Sequence, residues 1–279
     1  MTSGIFQRRE PPEAPASGPG MRLLMTVVEG LAVPPYHVAR STTVPFLPGR
    51  NENDAEHSFS LGLVGYCLAP LMDEPLDGGL IVRYALVHDL AEIYSGDVSV
   101  YADEAEREKK ARREAQARAI IAAEYGETFP WLVRDLLEYH AQADPESRFV
   151  YALDKMLPHA MIILGDHHPL RPAWADYLRT ERVARQKIGS SCPALLPLFE
   201  ELCRAFADRP HLFADRPGPR AVPASSVAPG DHDGGDRDQP GPHDREQDAD
   251  VQWEAGAEDG RQRDQERAER AGGDPRQDA

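Results

Sequence analysis

Four side chains with chemistry stand in stretches that otherwise read as apolar helix: His57, His88, Asp89 and Asp154. Imidazole nitrogens and carboxylate oxygens both bind metal ions and carry protons. His88-Asp89 interrupts the run Ala85-Leu86-Val87 and Leu90-Ala91, with Glu92 three residues past Asp89 and Ser95-Gly96-Asp97 beyond it. Asp154 follows Phe149-Val150-Tyr151-Ala152-Leu153 and precedes Lys155-Met156. His57 lies in Asp54-Ala55-Glu56-His57-Ser58, at the start of an apolar helix face. A polar group buried there without a partner costs several kcal/mol. Taken singly, each has an ordinary partner to hand: a helix cap or an arginine for His88-Asp89, half-buried packing for His57, an ion pair with Lys155 or an arginine for Asp154. Taken together, two imidazoles and two carboxylates are able to converge on one divalent cation. That N/O donor set suits octahedral Mn²⁺, Fe²⁺, Co²⁺ or Ni²⁺; Zn²⁺ is compatible, but no cysteine accompanies the set as in a structural zinc site. Residue type alone leaves both readings open.

The elements that must carry these residues are helical. Apolar residues recur at helical spacing over 21–31, and Pro34-Pro35 ends that segment. Tyr36 to Asn51 reads as a loop, punctuated by Pro45, Pro48 and Gly49. Asn53 with Glu56 three residues on is a capping-box pattern for a helix running to Leu71, with Phe59, Leu63, Tyr66 and Cys67 on one face. A helix over 80–95 carries His88, Asp89 and Glu92 and stops at Gly96. Its i, i+4 spacing places His88 and Glu92 on one face. Residues 102–125 form a charged helix in which Glu106–Lys110 and Glu108–Arg112 read as i, i+4 surface pairs. Further helices are expected over 130–142, 145–165, 173–188 and 193–207, with Pro158 bending or breaking the second of these. Strand signals are scarce, so the expected class is all-α around one core.

In chain order, Glu56-His57-Ser58, His88-Asp89-Leu90-Ala91-Glu92, Gly96-Asp97 and Asp154-Lys155 resemble the HD superfamily of metal-dependent phosphohydrolases. Within it they look most like the 5′-deoxynucleotidase group, as does Pro145-Glu146-Ser147-Arg148-Phe149 ahead of Asp154. The resemblance covers about residues 21–207 and implies an HD-domain helical bundle. It implies one divalent metal ion (Mn, Co, Fe, Ni, Mg or Zn) held by His57, His88, Asp89 and Asp154. Glu92 matches the position linked to acid–base work, and Asp97 a position beside the substrate. Phosphate recognition needs positive charge, which an arginine supplies through paired hydrogen bonds. Arg40 and Arg50 are the candidates, with Lys155 as a further cation near the metal. The chain departs from the family in one respect: Arg40-Ser41-Thr42-Thr43-Val44 lacks the tryptophan that often accompanies that arginine, which bears on sugar recognition.

The expected reaction is hydrolysis of a nucleoside or deoxynucleoside 5′-monophosphate to nucleoside and phosphate. A triphosphohydrolase is the nearest rival, and the scarcity of Lys and Arg near the motifs weighs against it. A cyclic-dinucleotide phosphodiesterase is disfavoured because no Gly-Tyr-Pro follows. A (p)ppGpp hydrolase is disfavoured because Glu92 is followed by Ile93 rather than Asp. A non-catalytic nucleotide-binding relative would be expected to lack a ligand or Glu92, and none is missing.

Composition narrows the rest. The formal net charge is −16 over 279 residues, and about half of it lies beyond residue 210. Residues 1–20 and 211–279 are rich in Pro, Gly, Asp, Arg and Gln and poor in aliphatics, so they are expected to be disordered extensions flanking a domain over 21–210. No basic stripe suggests a nucleic-acid polymer as partner. No apolar run approaches the ~20 residues a membrane helix needs, and the first 20 residues have no signal-peptide core. Cys67, Cys192 and Cys203 form no CxxC pair and are odd in number, which fits a reducing cytoplasm. The expected partner is a small nucleotide, and the family analogy suggests a homodimer.

Overall fold

Acidic caps and N-terminal prolines set most of the helix boundaries. The computed structural model describes residues 18–47 and 49–216; the expectations for 1–17 and 217–279 lie outside the described residues. Helix α1 is Pro19–Val27, followed by a wide turn over Val28–Ala32. Helix α2, Asp54–Leu68, opens on the expected capping box: Asn53 accepts from the Glu56 amide, and the Glu56 carboxylate accepts from the Asn53 amide. Helix α5, Glu104–Tyr125, is capped by Asp103. Helix α6, Pro130–Ala141, starts on proline. Helix α7, Pro145–Gly165, has both a proline at its start and a capping box from Asp144 and Ser147. Helices α8, Trp174–Ser191, and α9, Leu196–Ala207, complete the bundle. Pro158 lies inside α7 without interrupting it.

Two segments differ from the sequence reading. The expected continuous helix 80–95 is two pieces: α3, Gly78–Val87, and α4, Glu92–Ser95. Between them the backbone changes to i→i+3 hydrogen bonds, Leu90 N–H to Val87 O, Glu92 N–H to Asp89 O and Ile93 N–H to Leu90 O. The Ala85 carbonyl is taken by His88 Nδ1 at 2.8 Å. Tightened turns of this kind are common at helix ends, and here they fall on the His-Asp pair. The second difference is the presumed loop 36–51. It contains β1, Ala39–Thr43, paired antiparallel with β2, Asn51–Asn53, with an irregularity between the register pairs Ala39↔Asn53 and Thr43↔Asn51. The ladder leads directly into α2, with Asp54 N–H donating to Val38 O.

Helix α2 packs on α3 and α7, α3 also meets α6 and α7, and α7 runs on against α8 and α9. Leu61, Ile81, Tyr84, Phe149, Leu153 and Phe199 sit at the centre. The α2–α3 approach is close: a Cβ on Gly65 would stand 2.8 Å from Ile81 Cγ2. The expected apolar face of α2 is not the buried one. Phe59, Leu63 and Tyr66 are exposed, while His57, Leu61 and Gly65 face inward. A second, smaller core gathers Ile162, Tyr177, Phe206, Leu212 and Phe213. It carries the ordered chain past residue 210.

Candidate metal centre

The inward face of α2, the tightened turn after α3 and the middle of α7 meet at one buried point. There His57, His88, Asp89 and Asp154 each offer a ligand atom, and these atoms lie within 4.8 Å of one another. His57 Nε2 is 3.0 Å from Asp154 Oδ1. His88 Nε2 is 2.9 Å from Asp89 Oδ2 and 3.9 Å from Asp154 Oδ1. The two imidazole centroids are 5.3 Å apart. Three of the four residues are buried, whereas the Asp89 side chain keeps 18% of its surface exposed, so solvent reaches the cluster from its side.

The local wiring fits a cation. With His88 Nδ1 donating to Ala85 O, Nε2 is left as the lone-pair nitrogen. It is buried and has no hydrogen-bond partner. His57 Nδ1 faces Glu52 Oε2 at 3.3 Å, an outer carboxylate that orients the ring and frees Nε2 for a ligand bond. Two lone-pair nitrogens and two carboxylates form the N/O set that divalent first-row ions take. The electrostatics of the buried groups agree. Burial opposes the charged form of Asp154, but Lys155 and the two imidazoles hold its carboxyl well below the usual carboxylate range. Burial likewise opposes ionisation of Asp89, and His88 and Arg40 outweigh it, keeping that carboxyl low too. Burial disfavours a charged His57, yet Asp154 and Glu52 lift it to about 9. So much negative charge crowds the rings that a cation is stabilised there.

Around the four ligands stand further charged groups. Arg40, leaving β1, donates to Asp89 Oδ2 at 2.6 Å and Asp54 Oδ1 at 3.3 Å, and its Nε lies 3.6 Å from Glu52 Oε2. Lys155 Nζ is 2.5 Å from Asp154 Oδ2. Glu92 is buried in α4, and one of its carboxylate oxygens lies within 4.8 Å of one oxygen each of Asp54 and Asp89. Burial and the carboxylates of Asp89, Asp97 and Asp54 push Glu92 well above its usual pKa, against the pull of Lys110. Asp54 is raised to about 7 by burial and then by Asp89, with Arg40 opposing. Asp97 follows Gly96, whose φ of +70° is open only to glycine at low cost, and its Oδ1 is 3.5 Å from Lys110 Nζ.

The structure thus gathers His57, His88, Asp89, Asp154, Glu92, Arg40 and Lys155 at one site, with Asp97 joined to Glu92 through Lys110. Arg50 is elsewhere: it pairs with Glu56 on the exposed side of α2. Three participants went unnoticed in the sequence. Glu52 and Asp54 lie five and three residues before His57, but their roles depend on the β1–β2 ladder that faces them with Arg40. Lys110 read as the partner of Glu106; instead Lys109 takes Glu106 at 2.7 Å, and Lys110 turns inward to Glu92 at 2.8 Å.

Fold and site together define a helical protein with a buried two-histidine, two-aspartate centre for a divalent cation. The HD domain family model matches residues 37–195, more than half of the chain, and the chain belongs to the HD domain family. Curated relatives share modest identity. The bovine 5′-deoxynucleotidase HDDC2 is 32% identical over 145 residues, 52% of this chain and 68% of that protein. The human 5′-deoxynucleotidase HDDC2 is 33% identical over 107 residues, 38% of this chain and 50% of that protein. Among solved structures, a protein described as a predicted metal-dependent phosphohydrolase from Magnetospirillum magnetotacticum MS-1 superposes with a TM-score of 0.55 at 25% identity, over 70% of this chain and 96% of that one.

Proposed function

We propose that this protein is a metal-dependent phosphomonoesterase that hydrolyses nucleoside or deoxynucleoside 5′-monophosphates to nucleoside and inorganic phosphate. Family membership and the buried cluster support metal-dependent phosphohydrolase chemistry, and the HDDC2 relatives supply the substrate class. The observation that carries the proposal is the meeting of His57, His88, Asp89 and Asp154 beside a buried carboxylate, Glu92, that is not itself needed to complete the four-ligand set.

A divalent cation held by those four residues would lower the pKa of water and polarise a phosphoryl oxygen. The chain's own groups do the rest. Glu92 Oε2, buried and without a hydrogen-bond partner, takes the proton of the attacking water as the new P–O bond forms. The bond from phosphorus to the nucleoside 5′ oxygen then breaks, and the leaving oxygen takes the proton held by Glu92, which gives the nucleoside and inorganic phosphate and restores the carboxylate. Arg40 and Lys155 present N–H donors at the edge of the ligand carboxylates and bind the phosphoryl oxygens. Asp97 lies on the partly exposed side, where it meets the rest of the substrate. Arg50, paired with Glu56, has the weakest case as a phosphate contact. The free thiols of Cys67, Cys192 and Cys203 accord with a cytoplasmic location, and a homodimer remains part of the proposal by family analogy.

The test is phosphate release from deoxynucleoside and ribonucleoside mono- and triphosphates with Mn²⁺, Co²⁺ or Mg²⁺. Monophosphates are expected to be cleaved, with turnover lost in chelator and in Asp89→Ala. Unchanged turnover in Asp89→Ala would refute the assignment, and release of intact triphosphate would replace the monophosphatase by a triphosphohydrolase.

A further inference from the structure

Lys110 enters the site from the charged N-terminal half of α5, the helix whose later residues Ala117, Ile121 and Tyr125 are buried, and its ammonium meets three carboxylates. Nζ lies 2.8 Å from Glu92 Oε1, 3.4 Å from Glu114 Oε1 and 3.5 Å from Asp97 Oδ1. The Lys110 side chain is 20% exposed, against 61% for its neighbour Lys109. Side-chain entropy opposes ordering a lysine in this way, so the contacts must outweigh it. Their effect on Glu92 is specific. One carboxylate oxygen is held by the ammonium, the other, Oε2, stays buried without a hydrogen-bond partner, and the carboxylate as a whole stands beside those of Asp54 and Asp89. The backbone does not fix this by itself. Glu92 emerges from a run of i→i+3 turns, and Asp97 follows a glycine at positive φ. Among the described residues, the group that bridges both carboxylates, Lys110, comes from a different helix.

We propose that Lys110 is the positioning residue of this site, its ammonium holding Glu92 and Asp97 in a fixed mutual geometry with the Glu92 carboxylate beside the ligand cluster. The kinetic consequence rests on the phosphohydrolase reading above; the contact itself does not. Lys110 touches Glu92 by Oε1 and acts through it. Misplacing a proton-transfer group by about 1 Å costs about 100-fold in rate, and this loss belongs in kcat because the ligands and the phosphate contacts are untouched.

Two measurements test this. Limiting acetic anhydride on the cation-free protein, read by mass spectrometry, is expected to acetylate Lys110 far more slowly than Lys109. In Glu92→Gln the Lys110 rate should rise several-fold. Equal labelling of the two lysines in the unmutated protein would overturn the contact. In steady-state kinetics with a nucleoside monophosphate, Lys110→Met should lower kcat about 100-fold with KM and Mn²⁺ affinity little changed, and Lys110→Arg should recover part of the loss. In a Glu92→Gln background, Lys110→Met should add almost nothing, since residues acting as a unit are non-additive. A rise in KM at unchanged kcat would make Lys110 a substrate contact and sink the positioning role, as would full additivity with Glu92→Gln. If the unmutated protein cleaves no nucleotide, the activity reading fails on its own, and the labelling still decides whether Lys110 holds Glu92.

Discussion

Glu92 is the residue at which binding and chemistry separate. It lies beside Asp89, one of the four proposed ligands, yet that set is complete without it. Glu92→Gln should therefore keep Mn²⁺ affinity, measured by calorimetry, while losing about 10²–10⁴-fold in turnover. Loss of the cation instead would make Glu92 a ligand. At this scale the sequence was informative wherever a polar side chain interrupted apolar helix. His57, His88, Asp89 and Asp154 stand out because each is a polar group in an apolar stretch that must find a partner once buried. Lys110 does not, because it stands among Glu106, Glu108, Lys109 and Arg112, where charge is the rule and direction is set by packing. Arg40 and Arg50 looked equivalent as loop arginines. The ladder pairing turns the first inward to Asp54 and Asp89, while the second finds Glu56 at the surface.

Helix boundaries were legible where chemistry fixes them. Asn53 caps α2 as expected, and Asp103 and Asp144, not singled out beforehand, cap α5 and α7 within two residues of their expected starts. The break between α3 and α4 was not legible, since Leu86 to Ile93 has the periodicity of an unbroken helix; the His88 ring taking the Ala85 carbonyl is a side-chain event. The β1–β2 ladder was hidden for another reason: prolines mark turns but do not show that the chain on either side pairs. Glycine carries weight at two of these junctions. Gly65→Ala would put a methyl group 2.8 Å from Ile81 Cγ2 and force α2 away from α3. The expected cost is about 1–3 kcal/mol in urea unfolding, and activity should fall with it because His57 and His88 ride on those helices. An unchanged urea midpoint would show that the contact relaxes freely. Gly96→Ala is different: strain at φ +70° falls on the Asp97 turn, so turnover should drop more than stability does.

For the molecule as a whole, the helical class and the extent of the family match were within reach of the sequence, while the second core was not. Leu212 and Phe213 follow a stretch of mixed polarity and were assigned to the extension, but Tyr177, Phe206 and Ile162 bury them. His159 and His168 line this core, against Phe199, Phe206 and Tyr177 rings and the Phe206 ring respectively. Burial lowers both to about 4. An unfolded histidine binds its proton from about pH 6.5 downward, so stability is full above that pH and is lost as pH falls toward 4. In cation-free protein, His159→Gln should shrink the drop in urea stability between pH 7 and pH 5 by about 1–2 kcal/mol; an unaltered pH dependence would show that this ring is not the group responsible. No helix among the described residues is long and apolar enough to cross a membrane. His57, the His88-Asp89 pair and Asp154 are distant along the chain, so an ion gripped by all of them is a removable cross-link that closes two large loops. Each tenfold increase in free Mn²⁺ beyond half-saturation should then deepen the folded state by about 1.4 kcal/mol, and a series of thermal melts becomes a titration of the centre that requires no substrate.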